Sequence, residues 1–546
     1  MRPSGLTRPL LVLSAASAAC LSATCLAGGA SAAAPLHAAD DSYTVRHAGG
    51  LTVSAFSGVL HNDAGPGAQL TSHTDPAKGT LHVAADGSFT YVPQPGATGT
   101  DTFTYTVSDA VSLYTTQLAP LATIGGVTVT GGAYGSSLAP VPGTTDQFYG
   151  LTDRGPNVDG PGGTKVEPLP GFDPAIAKFR LTSKGLARLR EVIPLQDASG
   201  RPYDGRVSTE ASTGETITDL DGNVLPATPD GYDSEGLVAL PDGTFWVSDE
   251  YGPYVTHFDK SGRQIGRLSP FDGSLPRELQ RRVPNKGMEG LTITSDGSTL
   301  VGIMQSALQQ TPDLKAKNVV PLRIVTYTLK TGATHEYLYL LHDPKANSGA
   351  VSEITAVSPT RFIVDERDGA FPSATGFKRL YTVDVSGATD VGPASTVPGA
   401  VYDGADGGLL VGGKTIEEIA GDKGVTATAQ AKLAAVGITA GTSTQTLDID
   451  AVLGQLDPTY RFFAHDKVEG VATTDGGRTL VISNDSDFGI SGLTGATPPF
   501  QLTPKITTAG VQDDGEYLRI DTSRLASSSA VAADHTSTAT VTIDLG

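Results

Sequence analysis

Four stretches place a carboxylate at the start of a strand–turn–strand unit, where acids could hold a cation or move a proton. Ser234-Glu235-Gly236-Leu237 leads through Pro241-Asp242-Gly243 to Phe245-Trp246-Val247-Ser248-Asp249-Glu250. Met288-Glu289-Gly290-Leu291 leads through Asp296-Gly297 to Leu300-Val301-Gly302-Ile303. Ser352-Glu353-Ile354 leads through Pro359-Thr360 to Phe362-Ile363-Val364-Asp365-Glu366. Val468-Glu469-Gly470-Val471 leads through Asp475-Gly476-Gly477 to Leu480-Val481-Ile482-Ser483-Asn484-Asp485. An earlier hairpin carries Gly135-Ser136-Ser137-Leu138 where the others carry the acid, and ends on Thr152-Asp153-Arg154-Gly155.

A hairpin pairs residues symmetrically about its turn. Centring each copy on its turn sets Glu235 opposite Asp249, Glu353 opposite Glu366, Glu469 opposite Ser483 and Glu289 opposite Met304-Gln305. Each polar cluster then lies at the hairpin end away from the turn. Converging carboxylates resist ionising unless a cation or basic side chains compensate. An oxygen-only set suits calcium better than zinc. Expected metal ligands are Asp153, Glu235, Asp249, Glu250, Glu353, Asp365, Glu366 and Asp485. Arg154, Lys286 and Arg367 would hold an anionic substrate, Glu289 and Glu469 would act on it, and Lys467 stands close by. Calcium with basic side chains suits a phosphate ester, with a carboxylate as general base.

The repeated Glu-Gly-Leu has a second reading, in which it only ties one sheet to the next. Asp242, Asp296 and Asp475 read as turn formers. Asp219-Leu220-Asp221-Gly222-Asn223 starts like a calcium loop but has Val224 where such a loop needs glycine, so it reads as a plain loop. His342 and His465 read as surface histidines and Trp246 as core. There is no Gly-x-Ser-x-Gly elbow, no phosphate-binding glycine loop and no His-Glu-x-x-His.

The elements that must position these acids are short strands recurring at one spacing. One small sheet cannot bury both its faces and must stack on copies of itself, which predicts a β-propeller with the acids at one mouth of its channel. The interval from Glu353 to Glu469 is about twice the others and reads as a blade that has lost the motif, containing residues 380–385 and a helical insert at 416–433. The count is then six blades, with five or seven as alternatives. The propeller is assigned to residues 118–546. Residues 40–110 form a separate small β-sandwich, with half-buried alternation in Thr102-Phe103-Thr104-Tyr105-Thr106-Val107. The class is all-β.

Residues 1–32 read as a secretory signal: Arg2 and Arg8, an apolar run from Leu10 to Leu26, and small residues at Ala30-Ser31-Ala32. Both cysteines, Cys20 and Cys25, fall inside it, so the secreted chain is expected to lack thiols and disulfides. No later apolar stretch is long enough to span a bilayer. The formal net charge of -20 argues against nucleic acid as a partner. A monomer in the extracellular space is expected.

Thr152-Asp153-Arg154-Gly155-Pro156, Glu235-Gly236-Leu237, Ser248-Asp249-Glu250-Tyr251-Gly252, Pro284-Asn285-Lys286-Gly287-Met288-Glu289-Gly290-Leu291 and Glu469-Gly470-Val471 together resemble the phytase-like family of esterase-like proteins. The resemblance covers residues 124–520. It implies a β-propeller and metal-assisted hydrolysis of esters or phosphoesters. Lys286 stands where arginine is commoner in that family, and the third copy lacks glycine after its glutamate. Residues 40–110 resemble the cadherin-like, immunoglobulin-like tandem modules, which implies a spacer or a contact to cell wall or another extracellular polymer. The alternatives are a binding protein without turnover and a metal-dependent carboxyl esterase or lactonase.

Overall fold

The structure is a computed structural model that describes residues 35–45, 50–65, 67–211, 214–405 and 407–546. The expected signal segment and its two cysteines lie outside the described residues.

Runs such as Leu300-Val301-Gly302-Ile303-Met304 are apolar on both strand faces, which only a sheet covered on both sides can bury. Among the described residues, five four-stranded antiparallel sheets meet that need by stacking on one another. The first blade comprises Ser137–Pro140, Gln147–Leu151, Ala175–Leu181 and Ala187–Pro194. The second comprises Ser234–Ala239, Phe245–Asp249, Val255–Phe258 and Gln264–Leu268. The third comprises Met288–Ile293, Thr299–Met304, Pro321–Thr328 and Thr334–Leu340. The fourth comprises Ala350–Ala356, Arg361–Arg367, Lys378–Asp384 and Thr442–Asp448. The fifth takes Val468–Ala472, Thr479–Asn484 and Glu516–Asp521, and its outer strand is Val111–Thr115 from the other end of the chain. The innermost strands neighbour one another in a closed ring, the fifth blade against the first.

Core clusters fill the spaces between blades. Val238, Trp246, Leu291, Leu300 and Met304 pack together between the second and third. Each such side chain, fully buried, contributes about 1.5–3 kcal/mol. Glycine lets the inner strands approach closely: a Cβ on Gly236 would lie 2.5 Å from the Leu291 amide nitrogen, and one on Gly290 would lie 2.6 Å from that of Ile354.

The expected count of six blades is corrected to five among the described residues. Residues 380–385 belong to the third strand of the fourth blade and its exit. Most of the rest of the long interval is an insertion between that blade's last two strands, with the hairpin Ala400–Asp403/Gly408–Val411 and the helices Ile416–Ala420 and Thr426–Ala435. It buries Leu409, Ile416 and Leu433 against Leu338 and Leu340 of the third blade, so it packs on the ring's outside and adds no blade.

The boundary at 118–546 also changes. Thr536–Asp544 leaves the propeller and inserts into the sandwich, parallel to Asp41–Thr44 and antiparallel to Thr100–Ser108. Phe103, Tyr105, Val541 and Ile543 share that domain's core. Segments from both ends of the described part of the chain therefore build the small domain. Among the described residues, no helix is long and apolar enough to cross a membrane.

Candidate metal and anion site at the propeller mouth

Every innermost strand starts at one end of the channel and every second strand returns to it. Between them, each of the second to fifth blades carries a bulge just inside this end. The bulge shifts the pairing by one residue, so Ser234 faces Asp249, Met288 faces Met304, Val351 faces Glu366 and Val468 faces Asn484. A bulged strand re-aims its side chains. Here it turns Glu235, Glu289 and Glu469 into a cavity of about 360 Å³.

Asp153, Glu250, Asp485, Arg154, Lys286 and Arg367 line the same cavity. The mouth therefore gathers every residue expected to bind or act on a substrate, together with Asp153, Glu235, Glu250 and Asp485 of the expected metal ligands. Among them Glu235 and Glu250 join Asp233, and one carboxylate oxygen from each lies within 4.8 Å of the others. Asp233 lies outside the repeated motif, and its only signal in the sequence is adjacency to Ser234-Glu235. Asp487 also lines the cavity, and sequence reasoning misses it because it follows the repeat in an irregular turn.

The cations are held in place. The Arg154 guanidinium donates to Glu215 at 2.9 Å and to Asn157 at 3.0 Å, and lies 3.9 Å from Asp233. Lys286 Nζ donates to Gln305 at 2.6 Å. Arg367 donates to Glu469 and, at 3.1 Å, to the Val468 carbonyl. Lys467 Nζ donates to Asp485 at 2.8 Å and to Asp487 at 2.5 Å. Behind this wall the buried Lys505 ammonium meets Asp466 at 2.6 Å, Asp487 at 2.7 Å and Asp513 at 3.2 Å.

Among the described residues, nine carboxyl groups line the cavity against five cationic side chains, so protons or a cation must balance the excess. Burial and then the neighbouring Glu289 push the Glu235 carboxyl well above its ordinary range. Burial and Glu289 do the same to Glu250. Burial with the Glu469 charge raises Glu289 to about 8, and burial with Asp485 raises Glu469 to about 7. Asp153 is raised by burial and by Asp485 and Asp233. Burial also opposes ionisation of Asp487, but Lys467 and Lys505 outweigh it and hold that carboxyl below its ordinary range.

The donor set fits a hard cation. It is all oxygen. Glu250 Oε1, Glu289 Oε2 and Asn285 Oδ1 are buried acceptors without a hydrogen-bond partner among the described residues. Such acceptors are costly unless something fills the space they face.

Four expected ligands lie elsewhere. Glu353 sits one residue further along the bulge than the other repeat acids. It aligns with Gly290, which leaves Ser352 at the mouth where Glu289 stands. Its carboxylate accepts hydrogen bonds from Ser137 Oγ at 2.6 Å and the Ile354 amide at 2.9 Å, inside the ring. Asp365 pairs opposite Glu353 and is fully buried, which raises its carboxyl to about 8. Glu366 points between blades, accepting from Tyr339 at 2.7 Å and from the His342 amide at 2.9 Å. Asp249 accepts from the Asp233 and Gly252 amides and so shapes the loop that carries Glu250. Mirror pairing about the turn misplaces these acids because it leaves out the bulge. The structure also buries His465, expected at the surface, between Asp513 at 2.7 Å and Glu516 at 3.0 Å.

Comparison with known proteins matches residues 128–488 to the family model described as phytase-like, esterase-like activity of phytase. Residues 32–123 match the bacterial cadherin-like domain. An uncharacterized secreted protein of Arthroderma benhamiae is 29% identical over 276 residues, which cover 41% of this chain and 53% of that relative. The chain therefore spans about half the length of that curated relative. Among solved structures it is similar to Kuenenia stuttgartiensis hydrazine synthase, with a TM-score of 0.25 and 10% identity over 67% of this chain and 99% of that one. It is also similar to a protein from Lactobacillus plantarum, with a TM-score of 0.28 and 11% identity over 75% of this chain and 99% of that one. Likenesses this distant say nothing of the chemistry. The family match covers most of the chain and carries the Glu-Gly-Leu hairpins of the mouth: this chain belongs to the phytase-like family, with a bacterial cadherin-like domain in front.

Proposed function

We propose that this protein is a secreted hydrolase of phosphoric esters that works with calcium at the propeller mouth. The observation that carries the reading is the convergence of Asp233, Glu235 and Glu250 in one cavity with Arg154, Lys286 and Arg367. The three carboxylates would hold the ion. When bound, it would polarise a phosphoryl oxygen and make a bound water more acidic. Arg367 and Lys286 offer N–H donors to the remaining anionic oxygens, and Arg154 keeps Asp233 in position. Glu289, raised to about 8, keeps its proton at neutral pH and serves as the acid toward the leaving oxygen. Glu469, held by Arg367 and raised to about 7, serves as the base that takes the proton from water.

The substrate would be a small anionic ester. The likeness to a secreted relative supports an extracellular location. The sandwich would contact wall or matrix polymer, and the chain would act as a monomer.

The test is hydrolysis of p-nitrophenyl phosphate, bis-p-nitrophenyl phosphate and p-nitrophenyl acetate, each with calcium and with chelator. Calcium-dependent release from either phosphate supports the proposal. Release from the acetate alone points to a carboxyl esterase, and no release from any of them points to a binding protein.

A further inference from the structure

The chain carries 38 basic against 58 acidic side chains, yet residues 178–190 read Lys-Phe-Arg-Leu-Thr-Ser-Lys-Gly-Leu-Ala-Arg-Leu-Arg, five cations and no acid. This segment is the outer hairpin of the first blade, Ala175–Leu181 turning into Ala187–Pro194. Arg180 lies directly opposite Arg188 in the ladder. Like charges in that relation destabilise a sheet, so stability does not account for the placement. Arg190 is the extra residue of a bulge between Leu189 and Glu191, and it lines the same trough as Arg188. Arg180, Lys184, Arg188 and Arg190 line an open trough of about 460 Å³ at the end of the blade away from the mouth. Arg180 is partly neutralised by Asp146 at 2.8 Å, an exposed pair of small worth. Lys184, Arg188 and Arg190 have no side-chain partner among the described residues.

We infer that this trough is a docking surface for a thin linear polymer other than nucleic acid, whose phosphate or sulfate groups would seat on Arg180, Arg188 and Arg190. Guanidinium groups bind such tetrahedral oxyanions through paired N–H donors. A narrow two-strand track in a chain of net charge -20 suits a thin, singly stranded polyanion better than a duplex. Single-stranded nucleic acid binders add exposed aromatic platforms. Here Phe179 is buried, and the half-buried Tyr149 lies beneath Lys178, whose Nζ is 5.7 Å from the ring centroid. A polymer held here would tether the protein while leaving the mouth at the other end open.

The full secreted chain is tested for binding to immobilised poly(glycerol phosphate), dextran sulfate, uncharged dextran and single-stranded DNA across a salt series. The expected result is retention on poly(glycerol phosphate), on dextran sulfate or on both, and none on uncharged dextran. Retention on one alone assigns phosphate or sulfate as the group read. Affinity should fall with a log–log salt slope of about -2, for the three seating arginines on a single chain. Arg188→Glu with Arg190→Glu should weaken binding at least tenfold at an unchanged melting temperature, and Lys330→Glu, on an exposed turn of another blade, should not. No binding, equal loss in Lys330→Glu, or tighter binding to DNA than to both polymers would overturn the inference.

Discussion

Glu353 and Ser137 are 216 residues apart in sequence and 2.6 Å apart in space, joined by a hydrogen bond across the ring from the fourth blade to the first. Each stands where other blades carry Gly236, Gly290 and Gly470, and each has its backbone neighbour against an adjacent strand. The Ser137 hydroxyl also accepts from the Leu237 amide at 3.1 Å, and Glu353 lies 3.3 Å from the Leu291 amide. Burial holds the Glu353 carboxyl well above its ordinary range. One polar pair thus fastens four of the five blades beneath the mouth.

Glu353→Ala removes the acceptor and leaves buried donors on Ser137 and Leu291. A loss of about 2–4 kcal/mol in unfolding free energy is expected, since each orphaned group costs about 1–3 kcal/mol. Because the carboxyl lies below the cavity, kcat/KM of the folded fraction should stay within a few-fold. Urea unfolding with parallel kinetics checks both; a variant as stable as the parent and inactive would return Glu353 to the site.

Asp233→Asn and Glu235→Gln should each lose calcium affinity at least tenfold, read by calorimetric titration. In the parent, calcium at a hundred times its Kd should add about 2.7 kcal/mol of stability. In both variants this increment should shrink. An undiminished thermal shift would place the ion elsewhere.

Lys505→Met leaves Asp466, Asp487 and Asp513 facing one another without their shared cation. Loss of one partner of a buried ion pair costs about 3–5 kcal/mol. Lys505→Arg should recover most of it. Asp487 would also lose one of the two cations that hold its carboxyl low, so the acid limb of the pH–rate profile should move upward in Lys505→Met. A profile identical to the parent's would confine Lys505 to a structural role.

His465 is buried, which lowers its pKa, but Asp513 and Glu516 outweigh burial and raise it to about 9. The folded value exceeds the ordinary 6.5, so its stabilising contribution is whole below that pH and is lost as pH rises through about 9. The shift corresponds to about 3 kcal/mol. The melting temperature should therefore fall between pH 6.5 and 9 in the parent, and His465→Gln should flatten that slope. An equal slope in both would assign it to other groups.

The candidate catalytic and metal acids are legible in the sequence to the extent that the hairpin repeats are local. Asp153, Glu235, Glu250, Glu289, Glu469 and Asp485 recur at one hairpin end, and placing that end around a common axis brings them into one cavity. Glu353 looks equivalent because Ser352-Glu353-Ile354 aligns by its acid. The register aligns it by the bulge, one residue away. Asp365 and Glu366 fail with it, since alternation sends side chains to opposite faces and a single slip reverses them. The insert after Asp384 has the length of a blade, and only its packing on Leu338 and Leu340 distinguishes an outer lobe from a sixth sheet.

By itself the amino-acid order determined the all-β class, the repeating hairpins, the separate small sandwich and the mouth as the place where acids and cations gather. These follow from apolar period, turn chemistry and charge type, all readable within a few residues. The tertiary structure alone decided the five-fold closure, the pairing of Val111–Thr115 into the last blade and the insertion of Thr536–Asp544 into the sandwich. It alone joined Asp233 to Glu235 and Glu250, and took Glu353 out of the mouth to meet Ser137. Strand partners hundreds of residues apart are chosen by the shared burial of whole sheets, and a local window of sequence carries no term for that.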